Sequence, residues 1–160
     1  MMASQQSLRD HLVDLLTWRA AHAEFDRAVK NVPPEMRGRC PQRVPYSLWQ
    51  LLEHIRRAQW DIVEFCRNTD YQSPKWPDDF WPIETEPIER EDWQDSIDSY
   101  KRDRQAMIDL IRDDAIDVHD RIRQSESQTY LREVLLVADH NSYHIGQMVF
   151  LRRILGIWPP

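Results

Sequence analysis

Glycine is scarce in this chain, and apolar side chains follow helical spacing. Only three of the 160 residues are glycine. In four long segments apolar residues recur three and four positions apart, and no segment shows the sustained alternation typical of β-strands. The sequence therefore predicts an all-α fold. Four such helices in a chain of one ordinary domain's length indicate a four-helix bundle, with a single domain over residues 1–160.

Capping residues and prolines indicate where the helices end. We expect helices over residues 4–31, 47–68, 90–112 and 129–155. The first should end before Pro33. The second should begin at Ser47, which precedes Gln50 by three residues in the spacing of a capping box. The fourth should stop at Gly156, which is followed by prolines, the usual order at a helix end.

The segment between the second and third helices, residues 69–89, is unusually apolar for a linker. It contains Trp76, Phe80 and Trp81 together with several prolines, a composition unlike that of a flexible connection. We expect this segment to fold back over the bundle. It would then either cover the core or form a lid over the mouth of a pocket, and covering the core is the simpler interpretation.

Two histidines stand one helical turn apart in the fourth helix. His140 and His144 have i, i+4 spacing, so both imidazoles lie on one side of the helix. A transition metal needs at least one more protein ligand, and His54 in the second helix is the best placed by pattern. The chain contains six histidines, however. A pair of hydrogen-bonded core or surface histidines would explain the spacing equally well.

Charge and cysteine usage exclude several classes of function. The formal net charge of -6 disfavours contact with a phosphate backbone, although Arg56-Arg57 and Arg152-Arg153 form small basic spots. Only two cysteines occur, without CxxC spacing, so a thiolate zinc site is not expected. The sequence has no run of about 18 apolar residues, and its first residues lack the basic segment and apolar core typical of a signal peptide. We expect a cytoplasmic protein that binds neither nucleic acid nor a membrane.

Two separated motifs resemble one known family. The segment 139–147, DHNSYHIGQ, followed by LRRILG at residues 151–156, resembles the last helix of the DinB/YfiT-like superfamily, whose hallmark is HxxYHxGQ before a terminal LG. The segment 46–56, YSLWQLLEHIR, is similar to the SxWxLLxH stretch of that family, and so is the Trp-Pro loop at residues 76–82. The resemblance extends over essentially the whole chain, in the right order.

The resemblance implies a four-helix bundle, often a homodimer, with one divalent metal ion held by three histidines. Their positions match His54, His140 and His144. Zinc and nickel are the metals most expected, and iron, copper or manganese would suit the same ligands. Relatives include transferases and isomerases that use low-molecular-weight bacterial thiols, while many relatives have no assigned reaction.

Three neutral ligands leave a metal ion its full charge and an open position, as in catalytic sites. We therefore expect a metal-dependent enzyme that acts on a small molecule. Its reaction would be S-transfer with a low-molecular-weight thiol as co-substrate, or hydrolysis. The alternative is a non-catalytic metal-binding or stress-associated dimeric bundle. No residue beyond the three ligands is predicted to be catalytic.

Four residues near the predicted site have more than one interpretation. His22 could face the same pocket or be an ordinary core histidine. Asp61, seven residues after His54, could orient a ligand or lie in solvent. Gln147 could bind a small molecule or pack between helices, and packing is the simpler interpretation. Gly146 in mid-helix indicates a close helix contact, within the bundle or in a dimer.

Overall fold

The computed structural model of the chain describes residues 2–17 and 21–159. All the secondary-structure elements in these two ranges are helices. The helices are α1 (Met2–Thr17), α2 (Phe25–Val29), α3 (Pro34–Arg37), α4 (Leu48–Arg67), α5 (Asp92–Arg112) and α6 (Tyr130–Ile154), with a 3₁₀ helix at Asp78–Phe80. The all-α prediction is confirmed. Within the described ranges, no helix is both long and apolar enough to cross a membrane.

Side-chain caps define the start of the two helices that carry the predicted ligands. The Ser47 hydroxyl accepts the Gln50 N–H, and the Gln50 side chain accepts the Ser47 N–H, so both halves of the capping box of α4 are present. The Thr129 side chain caps α6 by accepting the N–H of Arg132. After α6, Gly156 has a φ of 72°, the left-handed conformation that glycine adopts readily. The predicted limits of these two helices agree with the structure to within one or two residues.

The prediction of one continuous helix over residues 4–31 is wrong. After α1 the chain is extended at Glu24, with a ψ of 162°, and α2 starts at Phe25. The break lets Phe25 enter the core, where its ring stacks on Tyr100 with ring centroids 3.7 Å apart. Pro34 then starts α3 rather than merely ending a helix, a position that suits proline because its missing N–H has no partner there. Apolar spacing alone does not reveal such a change of direction.

The core lies mainly around α4, which packs against both α5 and α6. One apolar cluster surrounds the N-terminal half of α4 and the C-terminal half of α6, and a second lies at their other ends. Between them, Gln59 donates to the carbonyl of Tyr100 at 2.7 Å and accepts from the Asn141 amide at 2.9 Å. These buried hydrogen bonds fix how α4, α5 and α6 face one another.

The segment between α4 and α5 lies against α4 rather than extending into solvent. Phe80 is buried, and the Gln50 amide donates to the carbonyl of Pro82 at 3.2 Å. The Ser47 hydroxyl donates to the carbonyl of Thr85. The Arg57 guanidinium donates to the carbonyl of Asp79 at 3.2 Å. The segment is thereby held over the half of α4 that carries His54.

Candidate metal centre

The three predicted histidines meet in the structure. Their ligand atoms all lie within 4.8 Å of one another. The Nε2 atom of His54 is 3.1 Å from Nε2 of His144 and 3.1 Å from Nε2 of His140. Two imidazole nitrogens bound to one ion at about 2.1 Å are roughly 3.0 to 3.4 Å apart for right-angled to tetrahedral coordination. The observed separations therefore fit one shared ion.

Backbone geometry explains why these side chains converge. His140 and His144 lie one turn apart on α6 and so present their imidazoles to the same side. His54 lies on the buried face of α4, which packs directly against α6. His54 is 1% exposed and His144 is 7% exposed, whereas His140 is half-buried. Solvent therefore approaches the cluster at His140.

His54 is held from two directions by the segment that follows α4. Its Nδ1 atom lies 3.2 Å from the carbonyl oxygen of Phe80. The Trp81 ring stacks on the imidazole with ring centroids 3.9 Å apart and only 9° between the planes. Because a carbonyl only accepts, Nδ1 of His54 carries the proton and its Nε2 presents a lone pair to the cluster.

The Gln147 side chain fixes the orientation of the His144 ring in the same way. The Nδ1 atom of His144 is 2.8 Å from the Gln147 side-chain oxygen, so Nδ1 donates and Nε2 is left with a lone pair. The packing interpretation of Gln147 is therefore incomplete, because this side chain orients one of the three histidines. The Nδ1 atom of His140 is buried and has no hydrogen-bond partner of good geometry among the described residues.

The protonation states of the histidines favour a bound cation. With both Nδ1 atoms protonated, the Nε2 lone pairs of His54 and His144 face each other across 3.1 Å and cannot form a hydrogen bond. Burial, together with the neighbouring His144, lowers the pKa values of His54 and His140 to about 4. Burial lowers the pKa of His144 too. The imidazoles are therefore neutral near pH 7, the form that binds metals, and a shared cation relieves the contact between the lone pairs.

The donor set consists of imidazoles alone. Among the described residues, no cysteine or carboxylate joins this cluster. Cys66 is buried and Cys40 is exposed, both outside it. Three neutral ligands would leave a divalent ion its full charge and at least one position for a further ligand.

Two other candidates from the sequence lie outside the cluster. His22 is exposed, and its Nδ1 lies 2.9 Å from the carbonyl of Ala23, so it is neither a core histidine nor a neighbour of the three ligands. Asp61 accepts a hydrogen bond from the Tyr71 hydroxyl at 2.9 Å. Burial raises the pKa of its carboxyl group. Asp61 therefore orients none of the ligands through a direct hydrogen bond, but it is not simply exposed to solvent either.

Two contributors to the site were not predicted as such. The Phe80 carbonyl carries no side-chain signal, because any residue supplies the same acceptor. Trp81 was predicted to cover the core; it packs against the first apolar cluster and also stacks on His54, which was not predicted. Only the unusual apolar content of the segment pointed to a contact with the bundle.

Comparison with known proteins gives a family match over most of the chain. A family model described as DinB superfamily matches residues 17–148, a range that contains all three histidines. The comparisons found no significant match among curated proteins or among solved structures.

Proposed function

We propose that this chain, which belongs to the DinB superfamily, is an enzyme that binds one divalent transition metal ion through His54, His140 and His144 and acts on a small molecule. The observation that carries the proposal is the meeting of three neutral Nε2 atoms in a buried cluster. Zinc and nickel are the proposed ions, and iron, copper or manganese would fit the same donors.

The protein's own contribution would be to orient the ligands and to limit access by water. Phe80 and Trp81 hold His54, and Gln147 holds His144, so the donor atoms need little rearrangement when an ion binds. A divalent ion in this site would act as a Lewis acid and would lower the pKa of a water molecule or thiol at its remaining position. His140 lies on the side that solvent reaches, so a substrate would enter there.

Transfer to or from a low-molecular-weight thiol is the reaction that we propose first, with hydrolysis as the second candidate. No carboxylate lies within the cluster of described residues to take a proton from water. A thiol needs less help, because its ordinary pKa of about 8.5 is already close to neutral. The donor set therefore supports thiol chemistry better than hydrolysis.

Activity measurements test this proposal. We expect the metal-loaded protein to accelerate the substitution of a chlorinated electrophile by a small thiol, which forms a thioether and releases chloride and a proton. The rate is measured through the chloride released. Removal of the metal by a chelator should abolish the acceleration. A panel of thiols identifies the co-substrate, and a nitrophenyl ester tests hydrolysis. If the loaded protein turns over neither class, the protein is instead a non-catalytic metal-binding or stress-associated bundle.

Replacing Gln147 by leucine should weaken metal binding while leaving the fold intact. The substitution removes the acceptor that orients His144 and introduces an apolar side chain of similar size. Loss of such a supporting hydrogen bond typically costs about 10-fold to 100-fold in metal affinity. A competition titration with a chromogenic chelator measures the change. Gln105→Leu is the control, since Gln105 is an exposed residue of α5 whose side chain donates to Asp109, far from the three histidines in sequence. Equal affinities of the two variants would contradict the orienting role.

We further propose that the protein is a homodimer formed through the outer face of α6. Leu135, Phe150 and Ile154 are exposed and lie within about 100° of arc on this helix. Gly146 lies on the same face, and a Cβ atom added there would have no neighbour within 4 Å. The close contact predicted for Gly146 is thus missing within the described part of the chain, which supports a contact with a second copy.

Phe150→Glu should convert the proposed dimer into a monomer. A carboxylate in the centre of an apolar interface would have to be desolvated without a partner. Light scattering coupled to gel filtration measures the mass in solution. Ile83→Glu is the control because Ile83 is 91% exposed in the segment before α5. A wild-type protein that is monomeric at high concentration would contradict the proposal.

A further inference from the structure

Aromatic side chains border the three histidines on more than one side. The Trp81 ring lies 3.9 Å from His54 and 6.0 Å from His144, centroid to centroid. Trp76 lies 6.0 Å from His54. The rings of Tyr143 and His144 are nearly perpendicular, with centroids 4.9 Å apart. We refer to Trp76, Trp81 and Tyr143 as the aromatic rim.

Two members of the rim are largely exposed. Trp76 is 61% exposed and Tyr143 is 64% exposed, although each lies directly beside a histidine of the cluster. Trp81 differs, because its ring covers His54 and is half-buried. Trp81 thus has a structural task, while Trp76 and Tyr143 keep ring surface available to a bound molecule. Such surface is best covered by another planar apolar group.

Within the described ranges, the three histidines make up the whole of the metal-ligating cluster. No carboxylate, cysteine or additional histidine belongs to it within the described ranges. Asp139 is exposed and acts on His140 through its negative charge. An exposed carboxylate next to His140 disfavours the approach of anionic molecules to that histidine. Aromatic rings therefore border the cluster, and Asp139 adds a negative charge beside His140.

We infer that the site selects substrates with an uncharged aromatic ring, attached through a short link to the atom that reaches the histidines. The ring would pack against Trp76 and Tyr143 while the sulfur or carbonyl group points to the three Nε2 atoms. This inference rests on the proposed function, since it names the class of molecule that the metal site accepts. A favourable contact between two aromatic rings corresponds to roughly a 2-fold to 10-fold gain in affinity, so two contacts together give roughly 4-fold to 100-fold.

Binding to the cobalt-substituted protein tests the inference without relying on turnover. Cobalt content is measured first, and thiol binding is then followed through the absorption band of cobalt bound to a thiolate. Phenylmethanethiol and cyclohexylmethanethiol are compared because they have similar size and linkage and differ in aromaticity. We expect the aromatic thiol to bind about tenfold more tightly. The 4-carboxylate derivative of phenylmethanethiol should bind more weakly than the parent compound.

Substitutions in the rim complete the test. Trp76→Leu and Tyr143→Leu should each reduce the preference for the aromatic thiol by about 3-fold or more and leave the affinity for the cyclohexyl compound nearly unchanged. Trp60→Leu is the control, because Trp60 is an exposed tryptophan of α4 that contacts Tyr71. Tyr143 lies at the edge of the α6 face proposed for the dimer, beside His144, so its ring is open to a ligand only where the second copy does not cover it. The mass of each variant in solution is therefore recorded alongside.

The possible failures are distinguishable. A protein that binds no cobalt contradicts the proposed function, and the inference fails with it. A protein that binds cobalt and thiols but shows no aromatic preference contradicts the inference alone. An equal loss of affinity for both thiols in Trp76→Leu would likewise overturn the inference, since the Trp76 side chain would then act only as general apolar surface.

Discussion

Replacing His140 by alanine is expected to reduce the metal content of the purified protein from about one ion per chain to nearly none. His140 supplies one of only three donor atoms, and no carboxylate or thiol among the described residues lies near enough to replace it. Loss of a merely supporting residue costs up to about 100-fold in affinity, so loss of a ligand should cost at least that much. Because His140 is the least buried of the three, its removal should disturb the fold least.

Elemental analysis of protein purified without chelators measures this effect directly. His119→Ala is the matched control, because His119 is exposed and its imidazole lies 3.1 Å from the carboxylate of nearby Asp117, outside the cluster. The control should keep the full metal content. A helical circular dichroism spectrum like that of the wild type would show that His140→Ala is folded. If this variant retained one ion per chain, the assignment of the three ligands would be wrong.

Local signals made α4 and α6 predictable from the sequence. The capping box at Ser47 involves only four consecutive residues, and Gly156 ends α6 through its own backbone freedom. The spacing of His140 and His144 placed these two side chains together by helical geometry alone. The apolar pattern of the second helix favoured His54 as the third, and the resemblance between motifs supported that choice, because spacing alone carries no information about which helices pack together.

The break after α1 could not be predicted, because its cause is not local. Phe25 fits the apolar stripe of a long helix as well as it fits the position that it occupies against Tyr100. The contact with Tyr100 joins residues 75 positions apart in sequence. The orientation of the His54 ring could not be predicted either. It depends on the backbone carbonyl of Phe80, and a pattern of side chains gives no information about a backbone acceptor.

The pattern of charged residues likewise failed to predict that Arg152 is buried. The pair Arg152-Arg153 was predicted to be a small basic spot on the surface, but Arg152 is only 1% exposed, whereas Arg153 is exposed. The Arg152 guanidinium donates to the carbonyls of Arg27 at 3.0 Å, Ala28 at 2.8 Å and Ile157 at 3.1 Å. It also lies 5.1 Å from the centre of the Trp158 ring. A sequence pattern does not reveal carbonyl groups that need a donor.

Replacing Arg152 by methionine is therefore expected to lower the free energy of unfolding by about 3 kcal/mol, because carbonyls at the end of α2 and after α6 would lose a charged donor. In a chain of this length that corresponds to a fall of about 6 to 12 °C in Tm. Arg153→Met, one position further on the exposed side of α6, should change Tm little. Thermal denaturation followed by circular dichroism measures both variants. Similar Tm values for the two would show that the carbonyls find other partners, and that Arg152 does not join the short helix α2 to the end of α6.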